Sequence, residues 1–294
     1  PEAASRAIDE YLAVLDDAAF GGASPVTPKF ISPADPASRW TGANKGLAFF
    51  AYATNYLIDL KAGIIVDVEP SAVSKAAEAT ATRTMIERVE NRFDLKPERL
   101  VGDTNYGSAA LLGWLVDEKQ IEPHVRVCDK TERQDGTLSV SAFTWHAQSN
   151  EYRCPTGKLL RSDWRSFNNP RSHITLADTI IYRARQPDCA ACPLKSQCCP
   201  NMPSRKIHRS IHEDARNVAR QIATTPAYEQ SCRERKKVEM LFAHLKRIMK
   251  LDKLRLRGFS GASDEFLLAA TAQNLRRMAK WMMATTDKAT LAPA

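Results

Sequence analysis

One run of the chain, Arg233 to Arg257, constrains the rest. It reads RERKKVEMLFAHLKRIMKLDKLRLR, with ten Lys and Arg against three Asp and Glu, a net of +7 in 25 residues. Within it Val238, Leu241, Leu245 and Ile248 recur at i, i+3, i+7 and i+10. That spacing predicts an amphipathic helix with one buried stripe. On the adjoining face Arg235, Glu239, Phe242 and Lys246 fall at i, i+4, i+7 and i+11, so they stack along one line. A lone carboxylate with a cation on either side suits metal and phosphate chemistry: the acid holds a divalent cation while the cations meet phosphates. A solvated, salt-bridged surface helix has the same pattern, so the rest of the chain has to decide between the two.

The chain has 294 residues, enough for one large domain or two ordinary ones. Its 44% apolar and 26% charged residues are those of a globular protein. A net charge of +8 points towards a polyanion such as nucleic acid. No apolar run approaches the roughly 18 residues that a membrane span needs. The start, PEAASRAIDEYL, lacks the basic and apolar regions of a signal peptide. The chain opens at Pro1 without a Met, which reads as a processed product or a fragment. Seven clustered Cys, an odd number, favour a metal site over a disulfide framework.

Taken in order, residues 1–47 read as a helix over 4–19, with Ile8, Leu12 and Leu15 on one face, then a linker holding four Pro. Residues 48–127 form a first block. Ala48–Asp59 and Ile64–Val68 read as a hairpin closed by Leu60–Gly63. A helix follows over Ser74–Phe93, with Ala79, Thr82, Met85, Ile86 and Val89 inward. Then come a strand over Pro97–Asp103, a helix over 107–119 and a strand over His124–Val127. Strands interleaved with helices imply a mixed α/β sheet flanked by helices. Asp59 and Asp103 end strands, and the carboxyl ends of strands are where such sheets bind ligands. Asp67 and Asp129 are rivals for the first acid.

Residues 128–227 interrupt that pattern as an insertion. It carries Cys154, then Cys189-x2-Cys192-x5-Cys198-Cys199, and Arg205–Arg220 reads as helical. Cys154, Cys189, Cys192 and Cys198 could hold a structural Zn²⁺, with Cys199 as a substitute for Cys198; an iron–sulfur cluster or free thiols are the alternatives. Trp145 and Trp164 could pack in a core or stack on a base. His244 reads as a surface or DNA-facing residue. Residues 228–284 bring the basic helix and a last helix from Ser263 or Asp264 to about Met282. Residues 285–294 read as a disordered tail.

Four pieces together resemble insertion-sequence transposases of the DDE class: YLIDLKAGIIVDVE around Asp59, LVGDTNYGS around Asp103, the Cys-containing insertion, and RKKVEMLFAHLKRIMKLDKLRLRG around Glu239. SPADPASRW, Ser32 to Trp40, is a further shared segment. Around the glutamate, related groups have Tyr-x2-Arg-x3-Glu-x6-Lys; Arg235, Glu239 and Lys246 match, and Cys232 stands where the Tyr would be.

The resemblance implies a ribonuclease-H-like catalytic domain and a triad of Asp59, Asp103 and Glu239 holding two Mg²⁺ (or Mn²⁺) ions. It implies cleavage of a phosphodiester at an element end, then attack of the freed 3′-OH on target DNA. Arg235, Lys236, Lys237, Lys246, Arg247, Lys250, Arg255 and Arg257 would contact phosphates. The partners implied are double-stranded DNA, as transposon ends and target, and further copies of the chain assembled on it, in the cytoplasm at the nucleoid, with no membrane. Full-length relatives carry an N-terminal DNA-binding region, which this chain is expected to lack as a truncated form. A nuclease that cleaves without joining and a remnant that only binds DNA are the alternative readings.

Overall fold

Ser74 starts the first long helix as the sequence predicts: its side chain accepts a hydrogen bond from the Ala77 N–H, 3.1 Å. Asp94 ends it in a left-handed conformation, φ +53°. The computed structural model describes residues 30–42, 47–129, 132–163, 173–251 and 253–290. The predicted helix over 4–19, Trp164, and the last residues of the tail lie outside them.

In chain order the strands and first helix are β1 (Arg39–Thr41), β2 (Phe49–Ala51), β3 (Ala53–Asp59), β4 (Ile64–Ser71), α1 (Lys75–Phe93) and β5 (Arg99–Val101). Then come α2 (Ala109–Gly113), β6 (Glu122–His124), β7 (Thr144–His146), β8 (Glu151–Arg153), β9 (Leu159–Arg161) and β10 (Thr179–Ala184). They are followed by α3 (Gln186–Ala190), α4 (Lys195–Cys198), β11 (Lys206–Ser210), α5 (Glu213–Ile222), α6 (Pro226–Arg247) and α7 (Gly258–Thr290). The class is mixed α/β. The chain divides into two units, one of Pro1–Val101 with Pro226–Ala294, the other of Gly102–Thr225.

The first unit is built on the predicted hairpin. β3 and β4 pair antiparallel, with the register shifted between Leu57 and Ile58, so that Leu57 faces Asp67 and Ile58 faces Ile65. Val66 is therefore an extra residue, a bulge. The bulge explains why Ile65 and Val68, three apart in a strand, both enter one core with Leu245, Ala262, Phe266, Ala269 and Ala270. It also sets Asp67 and Glu69 on a common face, where Arg88 of α1 binds both at 2.7 and 2.6 Å.

From α7, Asn274 uses its whole amide on β4: its Oδ1 accepts from the Ile65 N–H at 2.9 Å and its Nδ2 donates to the Ile65 C=O at 2.8 Å. Asn274→Ala removes both bonds and is expected to cost about 2 kcal/mol at roughly 1 kcal/mol each. A chemical-denaturation midpoint measures this.

Several boundaries differ from expectation, each for a local reason. The first strand breaks at Tyr52, whose hydroxyl donates to Asp35 Oδ1 at 2.8 Å. One mixed sheet was predicted over residues 48–127; β1–β2 and β3–β4 instead form two separate antiparallel pairs. The basic helix stops at Arg247. Lys250 turns left-handed, φ +58°, and the Leu251 N–H bonds back to the Leu245 C=O at 3.1 Å. Ile248, predicted to be buried, is exposed, and Met249, Leu251 and Leu254 pack on the core in its place. The last helix starts earlier and runs later than predicted, through Thr290. Residues 283–290, MATTDKAT, hold no Gly or Pro to stop it, so the predicted disordered tail does not begin at 285.

In the second unit the predicted helix over 107–119 is α2 continued as a π-helix over Trp114–Glu118. The Lys119 N–H reaches the Trp114 C=O, five residues back. The predicted strand over 124–127 lies at β6 instead. The segment predicted as a helix from Arg205 is the strand β11 and then α5. Lys206, Ile207 and His208 alternate exposed, buried, exposed, which is the period of a strand.

β7 to β11 form a five-stranded antiparallel sheet in the order β11-β10-β9-β8-β7. Its core holds Phe143, Tyr152, Leu160, Tyr182, Ile207 and three cysteines, Cys189, Cys198 and Cys199. Trp145 packs on Tyr152 and Tyr182 with ring centroids 4.8 and 5.3 Å apart, and the Arg209 guanidinium lies 4.2 Å over its ring. Trp145 is thus a packing residue. No described helix is long and apolar enough to cross a membrane.

Candidate active site

α6 is docked along the face adjoining Glu239. Leu245 is buried, and Phe242 meets Tyr56 of β3 with ring centroids 5.4 Å apart. Burial pushes the Tyr56 phenol up to about 12. At about 100° per residue, Lys236 and Arg247 point nearly opposite Leu245. Both are exposed, as are Lys237, Lys246, Lys250, Arg255 and Arg257. These seven predicted phosphate-binding cations are thus open to solvent on the surface of α6 and the loop after it, whereas Arg235 is half-buried. Arg99 of β5 anchors the start of the run through Glu234, 2.8 Å.

Glu239 lies on the flank of that surface, with its side chain 66% exposed and Arg235 4.0 Å away. The contact is too long for a hydrogen bond, so the carboxylate is available to a ligand. His244, expected at the surface, is half-buried instead, and its Nε2 meets the guanidinium of Arg276 on α7.

Asp59 ends β3 and is exposed. Its Oδ2 accepts from the Ala62 N–H at 2.7 Å and its Oδ1 from the Lys61 N–H at 3.4 Å, which shapes the hairpin turn. The turn closes with Gly63 at φ +69° bonding the Asp59 C=O at 2.7 Å. Asp103, at the start of the second unit, lies two residues beyond β5 and caps a single 3₁₀ turn, with its Oδ1 accepting from the Asn105 N–H at 2.7 Å.

The rivals are committed elsewhere. Asp67 is taken by Arg88, and Asp129 by Arg216 and Arg220 at 3.3 and 2.7 Å. Asp59, Asp103 and Glu239 are exposed, whereas Asp67 is half-buried and Asp129, though exposed, is held by two arginines. Among the described residues, however, no three His, Cys, Asp or Glu side chains are gathered closely enough to hold a metal ion.

Asp59→Ala tests the turn role separately. Losing two backbone acceptors in an exposed turn is expected to cost about 1 kcal/mol, read from the unfolding midpoint. A larger loss would make Asp59 chiefly a structural residue.

Sequence reasoning missed Arg205 and Lys195, which line a cavity with Cys154, Cys189, Cys192, Cys198 and Cys199. Lys195 lies between Cys192 and Cys198, a visible signal. Arg205 lies in a polar stretch that gives none.

Residues 153–279 match the family model described as a transposase DDE domain. The match takes in the cysteines from Cys154 to Cys232, Glu239 and the basic surface, somewhat under half of the chain; Asp59 and Asp103 lie outside it. No curated protein and no solved structure matches the chain. Over that stretch, α6 included, the chain is similar to the DDE domain of transposases.

Proposed function

We propose that the chain cleaves DNA at the ends of a mobile element and joins those ends to a target, using Asp59, Asp103 and Glu239 on a ribonuclease-H-like catalytic core. The observation that carries this reading is Glu239 on α6, exposed beside Arg235 on a helix within the matched transposase domain.

The three candidate acids are hard oxygen donors with open lone pairs, a donor set that fits Mg²⁺ or Mn²⁺. When bound, such ions activate the attacking oxygen and stabilise the leaving one. The chain's own part is to deliver the carboxylates and to hold the DNA. The hairpin turn fixes Asp59, the 3₁₀ turn fixes Asp103, and the docking of Phe242 and Leu245 fixes the face that bears Glu239. Arg235 and Lys246, one and two turns from Glu239, meet phosphates near the scissile bond. Lys236, Lys237, Arg247, Lys250, Arg255 and Arg257 grip the duplex further out. Copies of the chain assemble on paired ends, in the cytoplasm at the nucleoid.

The basic surface predicts steep salt dependence. With about six phosphates neutralised, log K against log salt should have a slope of about −5, and affinity should fall roughly a thousand-fold between about 50 and 200 mM salt. Fluorescence anisotropy with a labelled duplex measures it. A flat response would remove the phosphate-binding role. Strand-transfer products separate a transposase from a nuclease that only cleaves, and binding without either product would leave a DNA-binding remnant.

A further inference from the structure

Five of the seven cysteines line one small cavity in the second unit. Cys154, Cys189, Cys192, Cys198 and Cys199 surround a space of about 30 Å³ together with Thr156, Lys195 and Arg205. Two separate pieces of chain bring them there. Cys154 sits in the β8–β9 turn, where the Cys154 N–H bonds the Lys158 C=O at 2.9 Å and the Gly157 N–H bonds the Cys154 C=O at 2.8 Å. Cys189 and Cys192 sit at the end of α3, in a turn closed by the Cys192 N–H on the Cys189 C=O at 3.3 Å. Cys198 and Cys199, at the end of α4, line the cavity beside Cys189. The Thr156 hydroxyl bridges the other two, 3.1 Å from Cys154 Sγ and 3.8 Å from Cys192 Sγ.

A second observation is independent of the thiols. Arg205 is only 3% exposed. It donates to the carbonyls of Cys198 and Leu138 at 3.0 and 2.9 Å and lies over the Phe143 ring. Its Nε has no hydrogen-bond partner, and among the described residues no carboxylate forms a salt bridge with it. A buried cation without a direct ion pair is costly, and Asp135 acts on it only through its electrostatic field. The Lys195 ammonium also lines the cavity, 3.6 Å from Cys199 Sγ, and donates to the carbonyls of Met202 and Pro203. Two cations therefore line the cavity with the five cysteines, an arrangement that suits negative charge within it.

We propose that this cavity is a structural Zn²⁺ site, with Cys154, Cys189, Cys192 and one thiol of the Cys198–Cys199 pair as ligands, and Lys195 and Arg205 as its counter-charges. Binding one Zn²⁺ by four thiols releases four protons and leaves a centre of net charge −2, which the two cations offset. The cavity has room for a water-sized particle, which favours one ion over a multi-iron cluster. The ligands are not yet converged, since no three described donors form a metal-holding group. Thr156 must turn its hydroxyl out from between Cys154 and Cys192 for the sulfurs to close on the ion.

The test is the metal content of the purified full chain, prepared in reductant and equilibrated with zinc, together with its spectrum after titration with Co²⁺. One zinc per chain is expected, with the thiolate and tetrahedral bands of cobalt. Cys189→Ser and Cys192→Ser should lose it, and one of Cys198→Ser and Cys199→Ser should lose it while the other keeps it. Cys128→Ser and Cys232→Ser, outside the cavity, should keep it. Where a serine variant fails to fold, the wild-type spectrum still decides. No stoichiometric zinc and no thiolate bands in the wild type would overturn the proposal, as would iron with labile sulfide in its place. The readout involves no DNA, so its failure is distinct from failure of the transposase reading.

Discussion

Glu239→Gln is expected to lower metal-dependent DNA cleavage about a thousand-fold while leaving the unfolding midpoint almost unchanged. The first half follows from the role proposed for the carboxylate. Removing one ligand of a metal that supplies several kcal/mol of transition-state stabilisation costs about 4 kcal/mol, at 1.36 kcal/mol per decade of rate. The second half follows from the geometry. Glu239 is 66% exposed and its nearest ion partner, Arg235, is 4.0 Å away, so the fold draws little from it; exposed pairs of this kind contribute about 0–1 kcal/mol. The bland alternative, a surface salt bridge, predicts the reverse pattern: a small change in stability and no change in cleavage. Cleavage of a labelled duplex and thermal unfolding of the same preparation separate the two.

Gly107→Ala is expected to destabilise the second unit by about 3 kcal/mol or more, a drop of roughly 10 °C in Tm. Gly107 has φ −83°, so conformational freedom is not the reason. The reason is space: a Cβ there would stand 2.1 Å from the Arg126 carbonyl oxygen and 2.8 Å from the Cys128 nitrogen. Both are backbone atoms that cannot swing aside. The same contact carries the hydrogen bond from the Cys128 N–H to the Gly107 C=O, 2.9 Å, so relieving the clash breaks the bond as well. Gly42→Ala is the control, because a Cβ at Gly42 meets nothing within 4 Å. It should shift Tm little, and an equal drop in both variants would rule out the packing explanation.

The hairpin, the capped helix α1 and the basic helix were legible because each rests on local signals: Gly63 in a turn, Ser74 before a helical stripe, and a 3.6-residue period. The bulge at Val66 was not legible, because it answers to which residues α1 and α7 bring to the two faces of β4. The exposure of Ile248 follows from a left-handed residue, Lys250, that no strong turn former announces. β11 was read as helix because its charged residues hid an alternation of only five positions. At the candidate site the three acids come from the resemblance, whereas the commitment of Asp67 to Arg88 and of Asp129 to Arg216 and Arg220 depends on long-range pairing. The cysteines were visible, but the buried charge of Arg205 that gives their cavity its meaning was not.

The most direct test of the account is Mn²⁺ binding to the chain on a DNA duplex, measured by calorimetry for the wild type and for Asp59→Ala, Asp103→Ala and Glu239→Ala. The account predicts binding in the wild type that weakens in each of the three variants. Binding that is unchanged in all three would contradict it.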